Sequence, residues 1–249
     1  MAKIDKPRVR LGNGQEIDLA RYVSTDARVY KDERGILWIV KADRKIYRLN
    51  LKGNGAFTVE SFPTDADYRM AYTHMIGDGA GGLWLGTNEK MGRIRDGRYS
   101  PVEPTVGLPE TDPRAFFIDS RGWLWIGLRY NGVSVTREPM ADNPTFLNYS
   151  HENGQLSSNA VRSITEDRAG RVYFGSDRGL DRFDPHSNQW THFTTQDGLA
   201  GNAIYKVLTD HSGFIWIHSE GGHLALRSVQ GDGSKQSFTH LFQPPSSGG

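Results

Sequence analysis

Asp119-Ser-Arg-Gly-Trp-Leu-Trp-Ile-Gly127 is the stretch of sequence on which the fold depends. Its acid and its first glycine are three residues apart. This spacing suits a tight turn, because Asp can bond its own backbone and Gly accepts a positive φ. The apolar, β-prone residues that follow are typical of a strand. The stretch therefore predicts a turn that leads directly into a strand.

The same pattern occurs five times along the chain. The other four copies start at Asp32, Asp78, Asp167 and Asp210, each with Gly three residues later and an aromatic residue six residues later. The aromatic positions, 38, 84, 125, 173 and 216, are 46, 41, 48 and 43 residues apart. A period of about 40 to 50 residues, with several short strands in each period, is typical of β-propeller blades.

We therefore predict an all-β chain, a β-propeller of four-stranded antiparallel blades, with five recognisable repeats and an N-terminal hairpin. The hairpin, at residues 1–23, turns at Asn13-Gly14 and supplies a partial blade or closure strands. The blades occupy residues 24–243, at about 24–63, 68–104, 111–150, 157–196 and 200–243, and residues 244–249 form a linker or tail. Two arrangements stay open: a ring closed by five blades, or a slice of a larger propeller.

Composition and charge exclude several classes of protein. The 249 residues are 37% hydrophobic and include 29 glycines, so the chain can bury a core and turn often. The net charge of +1, with acidic and basic residues spread evenly, argues against a nucleic-acid or anionic-membrane surface. The absence of cysteine excludes disulfides, thiolate metal sites and cysteine nucleophiles. No apolar run approaches the ~18 residues of a membrane span, and the N-terminus has no signal-peptide core.

Three stretches, residues 124–127, 173–184 and 193–202, resemble the two-component regulator propeller repeat. That repeat reads roughly Gly-Leu, Asn-x-Val, Asp-x-x-Gly-x-Leu-Trp-Ile-Gly-Thr and Gly-Leu-x-Arg-x-Asp, and the fourth repeat of this chain follows it nearly throughout. Repeats one and five depart from it, with Val40 and His218 where the family has Gly. The resemblance extends over about residues 24–242.

The resemblance implies a sensor domain. Propellers of this family lie in the periplasm, precede a β-sandwich, a membrane helix and a histidine kinase, and sense nutrients, often glycans. We therefore expect a non-enzymatic, periplasmic or extracellular part of a longer receptor, without a cofactor, a metal or catalytic residues. The expected partners are a small polar ligand or oligosaccharide, further blades, a β-sandwich domain and a kinase in the parent protein, and other copies paired through open blade edges. No nucleic acid is expected.

The residues at the starts of the inner strands, and in the turns after the second strands, are the candidates for ligand binding. In a propeller these segments gather at one end of the central channel. Arg supplies forked donors and Tyr a flat amphipathic face, which suit hydroxyl-rich or anionic ligands. A solvated rim with hydrogen bonds between blades is the alternative interpretation. The candidates are Tyr68, Arg69, Arg114, Arg129, Tyr130, Asn159, Arg162, Arg178, Asn202 and Tyr205.

Two other functions remain open at this point. A propeller enzyme, either a lyase resembling virginiamycin B lyase or a glycan-cleaving enzyme, needs an acid–base group facing the channel, for which His74 is the best candidate. A protein-interaction scaffold would use exposed blade edges.

The repeated aromatic residues and aspartates also have two interpretations each. The aromatic residues could stack sugars, but repetition at one strand position favours core residues between blades. The turn aspartates could bind a cation, but each stands alone, which favours turn capping.

Overall fold

The structure is a computed structural model that describes residues 8–10, 16–18, 28–40, 45–51, 57–63, 74–87, 90–105, 107–109, 112–227 and 238–242. In these ranges the helices and strands are 22 β-strands and one short 3-10 helix, Thr195–Asp197. Two strands form a hairpin, and the others form five four-stranded antiparallel sheets, which confirms the predicted fold class. The chain divides into two compact units, Met1–Val102 and Glu103–Gly249.

The first unit contains the hairpin and two sheets, which we call blades one and two. The hairpin pairs Arg8–Arg10 (β1) with Glu16–Asp18 (β2), and its predicted turn at Asn13-Gly14 lies outside the described residues. Blade one is Arg28–Lys31 (β3), Leu37–Val40 (β4), Lys45–Leu51 (β5) and Phe57–Pro63 (β6). Blade two is His74–Gly77 (β7), Leu83–Gly86 (β8), Met91–Arg95 (β9) and Arg98–Val102 (β10).

The second unit contains blades three to five, whose strands also pair in chain order. Blade three is Pro113–Ile118 (β11), Leu124–Leu128 (β12), Val133–Thr136 (β13) and Leu147–Tyr149 (β14). Blade four is Ser163–Glu166 (β15), Val172–Gly175 (β16), Leu180–Asp184 (β17) and Gln189–Phe193 (β18). Blade five is Ile204–Thr209 (β19), Phe214–Ser219 (β20), Gly222–Arg227 (β21) and Phe238–Phe242 (β22).

The repeated Asp joins each turn to the strand that follows it. In blade three, Asp119 Oδ1 accepts hydrogen bonds from the backbone N–H groups of Arg121 and Trp123, at 2.9 and 3.0 Å. Its Oδ2 accepts one from Trp125 Nε1 at 2.8 Å. Gly122 has a φ of 82°, the left-handed conformation that the turn requires.

The same bond to the aromatic residue recurs in blades one, four and five, at 3.2, 3.1 and 2.7 Å. In these blades and in blade three the six-residue spacing therefore reflects a direct hydrogen bond. In blade two Trp84 Nε1 is buried without a hydrogen-bond partner, and Asp78 caps its turn by accepting from the N–H groups of Ala80 and Gly82.

Four of the five repeated aromatic residues are buried core residues. Trp38, Trp84, Trp125 and Tyr173 have no exposed surface. Within the second unit, the Trp125 ring lies 5.3 Å from the ring of Phe174 in the next blade. Trp216 is 38% exposed, so the prediction of a core position is wrong for this residue. Blade five is the last sheet of its unit, and no sheet follows it there among the described residues.

Glycine at the end of the second strand lets the next blade approach closely. A Cβ atom on Gly127 would lie 2.9 Å from Val161 Cγ1, and one on Gly175 would lie 2.6 Å from Ile204 Cγ2. Real Cβ contacts are not this short, so a larger residue would displace the next inner strand. The glycine at the end of the second strand therefore lets the start of the next inner strand lie directly against the preceding blade.

Candidate ligand-binding site

The three inner strands of the second unit, β11, β15 and β19, lie side by side. Ser163 Oγ bonds both the N–H and the carbonyl of Val207 at 3.1 Å, and the hydroxyls of Thr165 and Thr209 are 2.9 Å apart. Residues two apart in one strand thus meet residues two apart in the next, so β15 and β19 run in the same direction. Their first residues consequently lie at the same end of the two blades.

One predicted residue stands at the same position at the start of each of these strands. These residues are Arg114, Arg162 and Tyr205. Each directly precedes an inner-strand residue that pairs with the last or next-to-last residue of the second strand. The pairing shifts by one residue at Arg114 and at Tyr205, which marks a β-bulge at both. Bulges redirect side chains and often lie beside functional sites. The pairs that follow are Ala115 with Gly127, Ser163 with Gly175, and Lys206 with His218.

Arg114 and Arg129 share one carboxylate. Asp112 lies 3.4 Å from Arg114 Nε through one oxygen and 3.4 Å from Arg129 Nη1 through the other. The Arg129 guanidinium also lies 5.0 Å from the ring centroid of Tyr130, which is 64% exposed. Two cations around one anion leave a net positive charge beside an exposed aromatic ring.

Arg162 and Tyr205 bring blades four and five together at the same end. The Arg162 guanidinium carbon lies 5.6 Å from the Tyr205 ring centroid. The Tyr205 ring in turn meets His218 edge-on, at a centroid distance of 5.4 Å. Arg162 Nη1 is buried and has no hydrogen-bond partner, while Tyr205 is 48% exposed. This pair therefore places a cation next to an accessible ring.

The two predicted asparagines serve their own loops. The Asn159 side chain accepts a hydrogen bond from the His151 N–H at 2.8 Å and donates to Glu152 at 2.9 and 3.0 Å. Asn202 Oδ1 accepts one from the Thr195 N–H at 2.8 Å. Both residues thus hold the loops that lead into β15 and β19.

The remaining candidates do not join the two Arg–Tyr groups. Arg178 is exposed in the turn between β16 and β17, where its backbone N–H donates to Ser176 Oγ at 3.2 Å. Tyr68 and Arg69 lie outside the described residues.

A buried acid that sequence reasoning missed lies beneath the loop before β15. Asp181 is fully buried; it accepts a hydrogen bond from Ser157 Oγ at 2.9 Å and lies 2.6 Å from His192 Nδ1. The bond to Asp181 raises the pKa of His192, against the opposing effect of burial. The only sign of this buried acid in the sequence was its position next to an apolar residue in the third strand of blade four. The network anchors the loop that carries Arg162.

This network is not a nucleophilic triad. In such a triad the histidine stands between the hydroxyl and the acid, so that it can take the hydroxyl proton. Here Asp181 stands between Ser157 and His192. His74, the predicted acid–base candidate, is partly buried in β7, where it pairs with Gly86.

Metal-ligand clusters and membrane-spanning helices are both absent from the described part of the chain. No group of three or more His, Cys, Asp or Glu side chains is placed there to hold a metal ion. The same residues contain no helix that is long and apolar enough to cross a membrane.

Residues 155–178 match the family described as two component regulator propeller. They run from the loop before β15 to the turn after β16, and include Arg162, Gly175 and the aspartate turn of blade four. The chain therefore carries a two-component regulator propeller repeat. No curated protein matches the chain by sequence.

Several solved structures share the fold at low sequence identity. The extracellular domain of a hybrid two-component system from B. thetaiotaomicron is 18% identical, with a TM-score of 0.62 over 86% of this chain and 30% of its own. Virginiamycin B lyase from Staphylococcus aureus is 17% identical, with a TM-score of 0.63 over 90% of this chain and 71% of its own.

PorZ, a surface component of the type-IX secretion system of Porphyromonas gingivalis, is 15% identical, with a TM-score of 0.61 over 89% of this chain and 36% of its own. This chain spans about a third of the length of the two-component domain. Because the neighbours include both a signalling domain and a lyase, the likeness identifies the propeller fold and not the activity.

Proposed function

We propose that this chain is a non-enzymatic, ligand-sensing propeller from the extracytoplasmic part of a two-component signalling receptor. It binds a glycan or another small polar ligand where the inner strands of the second unit begin. The observation that carries the proposal is the set of Arg and Tyr side chains at one repeated position, in and beside the segment that matches the regulator repeat.

The chemistry of these side chains suits a hydroxyl-rich or anionic ligand. Arg114 and Arg129 surround a single carboxylate, so donors remain for a ligand oxygen. Tyr130 and Tyr205 present exposed rings against which the apolar face of a sugar can pack. Arg114 and Tyr205 are placed by strand register, and Arg129 and Tyr130 lie in the short turn that follows β12, which favours a largely pre-formed site.

The proposal that the parent protein contains further domains rests on the length of the structural neighbours. This chain spans about a third of the two-component domain, which supports a parent protein with further blades, a β-sandwich and a kinase. The exposed Trp216 face of blade five is a surface on which a further blade or a second copy can pack. A periplasmic or extracellular location follows from this role.

An enzymatic role has less support in the described residues. The cluster of Ser157, Asp181 and His192 has its acid in the wrong place for nucleophilic catalysis. Incubation with streptogramin antibiotics and with polysaccharides, followed by product analysis, tests this point. Sustained turnover would replace the sensing proposal with an enzymatic one.

Isothermal calorimetry against a panel of oligosaccharides and small polar metabolites tests the binding site. Arg114→Ala and Arg162→Ala should each weaken the binding of the best ligand by about tenfold or more, which corresponds to ~1.4 kcal/mol. Arg98→Ala is the matched control, since Arg98 is exposed and lies in blade two. Unchanged affinity in both site variants would remove this site.

A further inference from the structure

The contacts of Arg162 differ from those of Arg121, Arg171 and Arg182 in the same unit. Arg121 and Arg171 bond the turn aspartates at 2.7 Å, and Arg182 donates to the Thr191 hydroxyl at 3.0 Å. Arg162 makes no ion pair with any residue that the structure describes, and its Nη1 is buried without a hydrogen bond. A buried, unsatisfied guanidinium nitrogen is costly. No carboxylate among the described residues neutralises the charge of Arg162, so a ligand anion can pair with the rest of the guanidinium group.

The backbone holds this guanidinium in a fixed place. The N–H of Arg162 donates to the Gly175 carbonyl at 2.9 Å, and the next residue, Ser163, is bonded to Val207. Behind it, Ser157 fixes the preceding loop to the buried Asp181. The side chain therefore starts from rigid strands, and binding does not have to order the backbone.

Tyr205 supplies the second half of a subsite. Its ring lies beside the Arg162 guanidinium at 5.6 Å, is supported edge-on by His218, and is 48% exposed. An exposed ring next to a cation suits a molecule whose flat apolar face and anionic group are close together. A pyranose that carries a carboxylate on its ring has this shape.

We infer that Arg162 and Tyr205 form a subsite for an acidic sugar, a uronic acid, in which the pyranose packs on Tyr205 and the carboxylate pairs with Arg162. The inference rests on the proposed function and narrows its ligand class. The fork of the guanidinium matches a planar carboxylate through two parallel hydrogen bonds. The neighbouring Arg114 and Arg129 exceed the charge of Asp112 and add to the positive field.

The test compares ligands that differ only at the acidic group. Binding of the intact chain to glucuronic acid disaccharides is measured by calorimetry beside the matched glucose disaccharides and a sulfated glucose analogue. The uronate should bind about tenfold or more tightly than the glucose form, and rising salt should reduce the difference. Equal affinity for neutral and uronate sugars would overturn the inference and leave the proposed function standing. Tighter binding of the sulfated sugar would overturn the carboxylate assignment.

Three variants separate the subsite from general charge effects. Arg162→Gln should remove the preference for the uronate while weak binding of the glucose form persists, and Arg162→Lys should restore only part of it, because Lys lacks the fork. Arg98→Gln changes the net charge equally and should leave the preference intact. Circular dichroism confirms folding of each variant. A preference that survives in Arg162→Gln would overturn the inference, and absence of binding to every sugar would overturn the proposed function as well.

Discussion

Blades four and five carry the same turn and the same aromatic position, but only blade four buries its aromatic residue. Tyr173 and Trp216 both bond their turn aspartate, at 3.1 and 2.7 Å. Tyr173 is fully buried because Val207, Ile215 and Ile217 of blade five pack against it. Trp216 remains 38% exposed. The motif thus fixes the local turn and strand, whereas burial depends on the neighbouring sheet.

The two blades also differ at the end of the second strand. Gly175 in blade four lies directly against Ile204, at the start of the next inner strand. Blade five has His218 at the equivalent position, and Tyr205 packs against that side chain. The loss of one repeat glycine therefore adds a side chain to the candidate site. A position at which a repeat departs from its consensus can therefore add a different side chain to a binding surface.

The largest expected effect compares two tryptophans at the same repeat position. Trp125→Ala should lower the free energy of unfolding by about 3–5 kcal/mol, because it leaves a cavity between blades three and four. Trp216→Ala should cost less, roughly 1–2 kcal/mol, because its ring is partly in water. Urea unfolding measures both. Equal losses would show that Trp216 is covered in solution.

The turn aspartates of blades four and five should differ in the same way as their aromatic residues. Asp167→Ala removes the acceptor for Arg171 Nε and for the Tyr173 hydroxyl, both buried, and should cost about 2–3 kcal/mol in urea unfolding. Asp210→Ala should cost less, because water can replace the carboxylate at an exposed turn.

The pH dependence of the unfolding free energy tests the contribution of Asp210 separately. Its bond from Trp216 Nε1 holds the pKa of Asp210 below its usual value. The contribution of Asp210 is therefore present at neutral pH and is lost as the pH falls through the pKa of the folded protein. The difference in unfolding free energy between the wild type and Asp210→Ala should shrink in acid. A difference that grows in acid would contradict this assignment.

Substitutions to alanine at the end of the second strand should also affect blades four and five differently. Gly175→Ala places a Cβ atom 2.6 Å from Ile204 Cγ2, and the strain should cost about 1–3 kcal/mol. His218→Ala should change stability by about 0.5 kcal/mol or less, since nothing has to move. Thermal unfolding compares them. A neutral Gly175→Ala would mean that the next inner strand is not held against this glycine.

The smallest effect is a pH dependence confined to blade four. The bond to Asp181 raises the pKa of His192, so its stabilising contribution is complete below the pKa of the unfolded chain and is lost as the pH rises through the folded value. Blade five has Leu224 and His240 at the positions equivalent to Asp181 and His192, and leucine carries no carboxylate. The difference in unfolding free energy between the wild type and His192→Gln should be largest near pH 5 and smaller at pH 8. A constant difference across this range would contradict it.

Much of the fold could be predicted because its signals are local. The five aspartate turns and the strand that follows each depend on residues a few positions apart. Four-stranded antiparallel blades were predicted from these repeats, and the structure has five such sheets. The prediction failed at Trp216, whose burial depends on a sheet that local sequence does not describe.

The candidate site was only partly accessible from sequence. Arg114, Arg162 and Tyr205 were among the predicted residues, but their equivalence depends on strand register and on bulges that shift it. The loop roles of Asn159 and Asn202 require knowing which backbone groups approach them in space. Asp181 was missed because its partners, Ser157 and His192, are 24 and 11 residues away in sequence.

The sequence by itself determined the repeating unit: a capped turn, an aromatic residue bonded to the cap, and a glycine at the strand end. The turn follows from short-range hydrogen bonds and from the conformational range of glycine, which each repeat contains, whereas the strand-end glycine is present in repeats two, three and four. Only the tertiary structure decided which aromatic residues are buried and that Tyr205 lies beside Arg162. Those outcomes arise from contacts between neighbouring sheets, and no single repeat encodes its neighbour.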